Sequence, residues 1–399
     1  MPVGSLSCLG GPVIEADEDS GGDRQNSRGG GDRSSDALEL FFDLVFTYAM
    51  SQVTHLMLAD ISWRGFGHGV LALFAVWWAW TCYAWLTNTS AAASATARIM
   101  VLLAMAAMLV AAIALPQAFA RDALVFACAL LGVRILHVVL YLLSARNEPR
   151  LRTAVRRLTP GLVASPALIA AAAFAEPPFR ELLWVAAAAL DAGGPLVAGV
   201  EGFQVLPRHF VERHGAIIII ALGEAIVSVG AGAGEDLQGL PVLAAVILGV
   251  LICALLWWSY FGLTTKARQR LTRAQGEDRA RLARDAYSYL HFPLVAGIVF
   301  FALGVYKAIA RPQVPLDLLP AAALCGGVAL FFAADVAYRW RDHRKLAHDR
   351  LTASVAALAV LPLAVTGPPL AALIALAVIG AVRALWEALH PGLDRWIQP

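Results

Sequence analysis

Residues 240–258, LPVLAAVILGVLICALLWW, run from Leu240 to Trp258 without a charged side chain. At about 1.5 Å of rise per residue, a helix of this length spans roughly the 30 Å hydrocarbon core of a bilayer. In lipid each backbone N–H and C=O must be paired inside the protein, and a helix pairs them within its own segment. Val101–Leu115 is a second uncharged run of the same kind. Across all 399 residues, 59% are hydrophobic and only 15% charged, against about 25% charged in a soluble domain. The polar surface that a soluble core would need is missing. The expected fold is all-α, a polytopic integral membrane helical bundle.

Outward from that stretch, hydropathy marks twelve spans. In a first half (37–205) they fall at about 38–58, 67–87, 98–118, 122–145, 159–175 and 181–200. In a second half (206–399) they fall at about 215–233, 240–264, 286–306, 318–337, 351–367 and 369–389. Residues 1–36 are rich in Gly, Asp and Ser, are expected to be a disordered tail, and lack the basic-then-apolar pattern of a signal peptide. With the amino terminus placed in the cytoplasm, the tails and even-numbered loops carry 24 Lys and Arg, and the odd-numbered loops carry five. Basic loops resist translocation, so both termini are expected inside. The net charge of +2 reflects these loops and points to no nucleic-acid partner.

A two-fold internal pattern is also visible. Trp77-Trp78-Ala79-Trp80 in the second span answers Trp257-Trp258-Ser259-Tyr260 in the eighth, and the fourth and tenth spans both lead into arginine-rich loops. Six spans per half would give a parallel repeat about an axis along the membrane normal. Such tryptophans are otherwise interfacial anchors.

Ionisable groups at membrane depth cost on the order of 2.5–3.5 kcal/mol and need a partner, water or a function. Asp43, Asp191, Glu224, Arg134 and His291 are the candidates for ion or substrate binding. Glu39 and Asp43 lie one turn apart on one helix face; Glu39 is alternatively an interfacial cap. Ser51, Gln52, Thr54 and His55 continue the polar stripe. Arg134 stands one turn from His137 and should pair with Asp43, Asp191 or Glu224. Beside Asp191, Gly193-Gly194-Pro195 should interrupt the sixth span. The run PRHFVERHGAIIIIALGEAIVSVG, residues 207–230, offers Glu212 and His214 in a polar lead-in and Glu224 deep in the following span. His291 lies near Pro293 and is either a site or a satisfied core histidine. The carboxylates of distant helices are expected to converge on one wet cavity. Arg383 should snorkel from a helix end, near Asp335 and Glu387. The five cysteines, Cys8, Cys82, Cys128, Cys253 and Cys325, show no C-x-x-C spacing and read as packing residues, and no metal site, cofactor motif or catalytic signature is found.

With these residues in view, the sequence resembles the bacterial low temperature requirement protein A family. The resemblance rests on Glu39 to Phe46 (ELFFDLVF), Pro207-Arg208-His209, Glu212-Arg213-His214-Gly215, Ala221-Leu222-Gly223-Glu224, Trp257-Trp258 with Tyr260-Phe261, and Tyr287 to Pro293. It implies a bacterial inner-membrane location and a part in cold adaptation, without a settled substrate or reaction. The first span is also faintly similar to the opening of bacterial potassium channels of the six-plus-six helix type, although Phe42 stands where those have serine. The leading functional expectation is a secondary transporter of a small solute, coupled to protons or another cation. The alternatives are a cation channel, a membrane enzyme acting on lipid, and a non-catalytic membrane protein supporting growth in the cold. The lipid bilayer is the one partner implied throughout.

Overall fold

A computed structural model describes residues 37–88, 94–234, 239–262, 264–343 and 346–390. The expected disordered tail and Cys8 lie outside them. The described residues form helices joined by short turns: α1 (Ala37–Ala59), α2 (Trp63–Thr87), α3 (Ala95–Ala114), α4 (Ala123–Ser144), α5 (Pro149–Ala172), α6 (Phe179–Val197), α7 (Pro207–Ala233), α8 (Leu240–Phe261), α9 (Thr264–Arg273), α10 (Gly276–Ala283), α11 (His291–Ala310), α12 (Leu318–His343), α13 (His348–Ala359), α14 (Leu361–Thr366) and α15 (Pro369–Leu389). Ser62 caps α2 by accepting from the Gly65 N–H, and Ser94 caps α3 by accepting from Ala97. Proline opens α5, α7 and α15, where its missing N–H costs nothing.

Every segment expected as a span coincides with a helix or a helix pair, and among the described residues nine helices are long and apolar enough to cross a bilayer. The three remaining segments, α1, α5 and α6, are more polar. Glu39, Asp43, Gln52 and His55 interrupt α1, four arginines (Arg150, Arg152, Arg156, Arg157) open α5, and α6 carries Arg180, Glu181 and Asp191. Large apolar side chains face outward, among them Ile113 on α3, Ile247 on α8 and Val382 on α15, each about 60% exposed. Outward apolar surface on this scale fits a lipid environment and would drive aggregation in water.

In the first half α1 packs against α2 and α3, α3 against α4, α4 against α5, α5 against α6, and α6 returns to α2. In the second half α7 packs against α8 and α11, α11 against α12, α12 against α13, α13 against α15, and α15 returns to α8. The tightest pairing is α11 with α12. A Cβ on Gly304 would collide with the backbone of Leu324, and one on Gly297 would lie 2.7 Å from the Gly327 carbonyl oxygen. Without side chains the two backbones touch, which is how small residues join helices in lipid.

Three local departures from the sequence reading have physical causes. First, α6 stays helical through Gly193-Gly194-Pro195 and ends at Val197, so the expected interruption is absent. Pro195 falls in the last turn, where its one lost hydrogen bond, to the Asp191 carbonyl, is inexpensive. Second, α7 starts at Pro207 and absorbs the polar lead-in, because His209, Arg213 and His214 are wholly buried against neighbouring helices. Third, the ninth expected span does not open as a regular α-helix but as a π-helical turn over Arg284–Tyr289, just before Pro293. Pro293 cannot donate to the Tyr289 carbonyl, and a widened turn at that point accommodates its ring.

Candidate functional site

The first buried polar group joins α1 to α7. Glu39 and Asp43 lie four residues apart on α1, and His209 and Arg213 four apart on α7, so the two pairs match rung for rung. Arg213 Nη1 donates to Asp43 Oδ2 at 2.6 Å and to the Glu39 backbone carbonyl at 2.9 Å. His209 Nε2 stands 2.7 Å from Glu39 Oε2. Trp80 Nε1 on α2 donates to Asp43 Oδ1 at 2.9 Å, and its ring lies 5.7 Å from the Arg213 guanidinium carbon. Further along the same two helices, Ser51 on α1 and Ser228 on α7 both donate to the Glu224 carboxylate, the second at 3.1 Å. The pairs 39–209, 43–213 and 51–224 ascend together, so α1 and α7 run in the same direction. Asp43 is therefore an ion-pair member and Glu224 a hydroxyl-bonded carboxyl.

Adjacent to this seam is a cluster of packed rings. His214 Nδ1 stands 2.8 Å from the Phe210 carbonyl, and its ring sits edge-on to Trp80 and to His291. His291 is satisfied at both nitrogens: Nδ1 stands 2.8 Å from the Ala286 carbonyl in the π turn, and the Tyr260 hydroxyl donates to Nε2 at 2.8 Å. Between the two outcomes expected for His291, the geometry is that of a satisfied core histidine. Glu212 is half-buried and paired with Arg208 at 2.9 Å. His55 points outward while Gln52 is buried, so the polar stripe of α1 divides over two faces.

The second group joins α4, α5 and α6. Arg134, with no exposed surface, donates from Nη2 to Asp191 Oδ2 at 2.8 Å and from Nη1 to the Cys82 sulfur and the Trp78 carbonyl. Ser165 donates to the same Asp191 oxygen at 2.9 Å. Of the three partners open to Arg134, the structure selects Asp191. His137 Nε2 stands 3.1 Å from the Cys82 carbonyl.

The third group lies at the end of the second half. Asp335 accepts from Arg339 at 2.9 Å and from Arg350 at 2.6 Å, Arg350 reaches Glu387 at 3.1 Å, and Glu387 also accepts from Arg383 at 2.9 Å. Arg383 is only 3% exposed. It does not snorkel, because Glu387 one turn away and the Phe332 ring hold it inside.

Asp43, Asp191 and Glu224 thus do not share one cavity. Each meets its own donors, because α1 and α7 turn their acids toward each other whereas α6 turns Asp191 toward α4. A cavity does adjoin the second group. It lies between α2 (Trp78, Thr81, Cys82, Trp85), α4 (His137, Tyr141), α5 (Leu158, Gly161) and α6 (Asp191, Pro195). Phe203 and the π-turn residues Arg284 and Ser288 complete its wall. It offers about 80 Å³ to the centres of water-sized molecules, within about 720 Å³ of non-protein space that includes its mouth. One water needs roughly 10–15 Å³ on the first measure, so several waters or one small ring system fit. Arg284 donates to the Pro195 carbonyl at 3.2 Å and Tyr289 to the Ala192 carbonyl, fastening the π turn to the end of α6. Trp85 Nε1 donates to Ser288 Oγ at 2.8 Å.

The sequence reading singled out Asp191 and His137 in this wall and Arg134 as a partner of Asp191, and missed Thr81, Arg284 and Ser288 in the wall and Ser165 beside Asp191. Hydroxyls on apolar helices carry no distinguishing pattern. Arg213, the partner of Asp43, was legible in principle, since its four-residue spacing from His209 repeats that of Asp43 from Glu39.

Residues 34–385 match the family described as bacterial low temperature requirement A protein. An uncharacterized protein from Rhizobium meliloti (strain 1021) is 30% identical over 308 residues, covering 74% of each chain.

Proposed function

The chain belongs to the bacterial low temperature requirement A family, and from that premise we propose that it is a secondary transporter of a small solute, coupled to protons. The observation that carries this reading is the cavity lined by Asp191, whose carboxylate is paired with the buried Arg134. A concave, mostly apolar space with a few polar groups suits solute binding. A buried pair that one partner leaves on protonation suits coupling.

The α1–α7 seam supports protons as the coupling ion: the 2.7 Å contact between Glu39 and His209 sets a carboxylate against an imidazole, a pair that can hold and release a proton near neutral pH.

The reading includes twelve spans in two parallel halves, in a bacterial inner membrane, with both termini in the cytoplasm. The shared direction of α1 and α7 and the matching order of helix packing in the two halves support it. So do the arginine-rich loops. The two tryptophan motifs have diverged in use: Trp77 and Trp80 are buried, while Trp257 and Trp258 are about half exposed. Growth in the cold is the cellular role that the family description suggests.

The test is charge movement measured on purified protein in proteoliposomes adsorbed to a solid-supported membrane. Neutral, cationic and anionic small molecules are perfused with and without a pH gradient. Wild type should give saturable transient currents that Asp191→Asn and Glu39→Gln abolish at equal protein content. Currents that rise linearly with concentration indicate a channel, and no current with any solute or gradient removes the transport reading altogether.

A further inference from the structure

Three buried side-chain atoms that find no partner in the protein gather in the wall of one cavity. They are Thr81 Oγ1 on α2, His137 Nδ1 on α4 and Asp191 Oδ1 on α6. Thr81, His137 and Asp191 are 3%, 4% and 5% exposed. A buried polar atom without a partner is costly, so three of them on residues that line one space call for a common occupant.

Their chemistry specifies that occupant. The His137 Nε2 faces a carbonyl oxygen, which can only accept, so Nε2 carries the hydrogen. In the neutral ring Nδ1 is then an acceptor. Asp191 Oδ2 is taken by Arg134 and Ser165, which leaves Oδ1 as a second acceptor. Only the Thr81 hydroxyl can give as well as take. The polar wall therefore asks for hydrogen-bond donors. Beside the cavity Arg134 pairs with Asp191, and Arg284 shares Asp285 with Arg341; among the described residues no negative charge there is left without a cation, so the donor need not be charged. In the rest of the wall Trp78, Trp85, Tyr141 and Phe203 are flat and aromatic, among aliphatic residues such as Leu158 and Leu162. Such rings stack on planar bodies.

We infer that the cavity takes a small, neutral, planar molecule bearing an N–H donor, a heteroaromatic amine by chemical class. Its ring lies among the tryptophans and its N–H reaches Asp191 Oδ1 and His137 Nδ1. This identification rests on the cavity being the solute site proposed above.

The experiment uses full-length protein in detergent and tritium-labelled indole, the simplest probe with one N–H on a flat ring. The saturable part of binding is measured, since partition into micelles does not saturate. Competition by 1-methylindole, which keeps the ring and loses the donor, should be at least tenfold weaker than competition by unlabelled indole. Gly161 lines the cavity, and a Cβ there meets only the Leu190 carbonyl at 3.9 Å, so Gly161→Phe should fill the space and abolish binding. Should that variant fail to fold, Thr81→Val should weaken indole several-fold and leave 1-methylindole unchanged. Equal competition by the two indoles, unchanged binding in Thr81→Val, or no saturable binding at all overturns the inference. The two readings separate cleanly. Saturable indole binding without solute-driven current defeats transport and leaves the site, whereas currents evoked by other solutes in a protein that ignores indole defeat the ligand class and leave transport.

Discussion

Replacing Arg213 with methionine should be among the most damaging single changes in the membrane interior. The Arg213 side chain has no exposed surface and Asp43 only 2%, and they meet at 2.6 Å. Removing one member of a buried pair leaves the other charged and uncompensated, at a cost of about 3–5 kcal/mol. Asp43→Asn should cost a similar amount, because Arg213 would keep only the Glu39 carbonyl and the Trp80 face. The double variant should be less destabilised than either single one. With both charges gone, the Trp80 N–H still finds the amide oxygen of asparagine, and methionine fills most of the arginine's volume. Reversible unfolding in mixed micelles of increasing SDS fraction, followed by tryptophan fluorescence, measures all four corners of the cycle. Double-variant loss equal to the sum of the two single losses would refute the reasoning, since it would mean that Arg213 and Asp43 act independently.

Other expectations follow from the same geometry. Arg350→Met should cost about 1.5–3 kcal/mol in that assay, since Asp335 keeps Arg339 and Glu387 keeps Arg383 but both lose the charge-assisted bonds from Arg350. Arg64→Met, which breaks a 2.9 Å pair with Glu181 on a side chain 56% exposed, should cost less than about 1 kcal/mol; similar losses for the two would show that burial does not set the scale. Gly304→Ala should cost about 1–3 kcal/mol through overpacking against Leu324, read as reduced abundance of folded protein by fluorescence-detected size exclusion, and normal abundance would contradict the close approach. Trp80→Phe removes a donor to a buried carboxylate and should cost about 1.5–3 kcal/mol, with Trp77→Phe, whose N–H serves a backbone carbonyl, costing less; the reverse order would count against charge-assisted bonding at Asp43.

Much of this architecture is written in hydropathy, because lipid imposes one rule on every span and that rule acts locally. Positions of costly groups were equally legible: Asp43, Asp191, Glu224, Arg134 and His137 are all buried, as their surroundings required. Their partners were not, because pairing depends on how helices rotate about their axes. Arg134 faced three sequence-compatible acids, and only the packing of α4 and α6 against α5 singled out Asp191. Arg383 shows the same gap from the other side. Near a helix end snorkelling and burial look alike in sequence, and Glu387 decided between them. The cavity was the least legible feature, since Thr81 and Gly161 are ordinary residues until four helices bring them together.

The glycine contact of α11 with α12 constrains how such a molecule can work. Two helices touching backbone to backbone have no side-chain layer to shear, so they behave as a stiff post in the middle of the second half. On the proposed transport reading, a rocking motion that opens the cavity to alternate sides must pivot around that post, with displacement concentrated in the first half. Distance probes on α5 and α6 should therefore report large excursions during turnover, while probes across the post stay still.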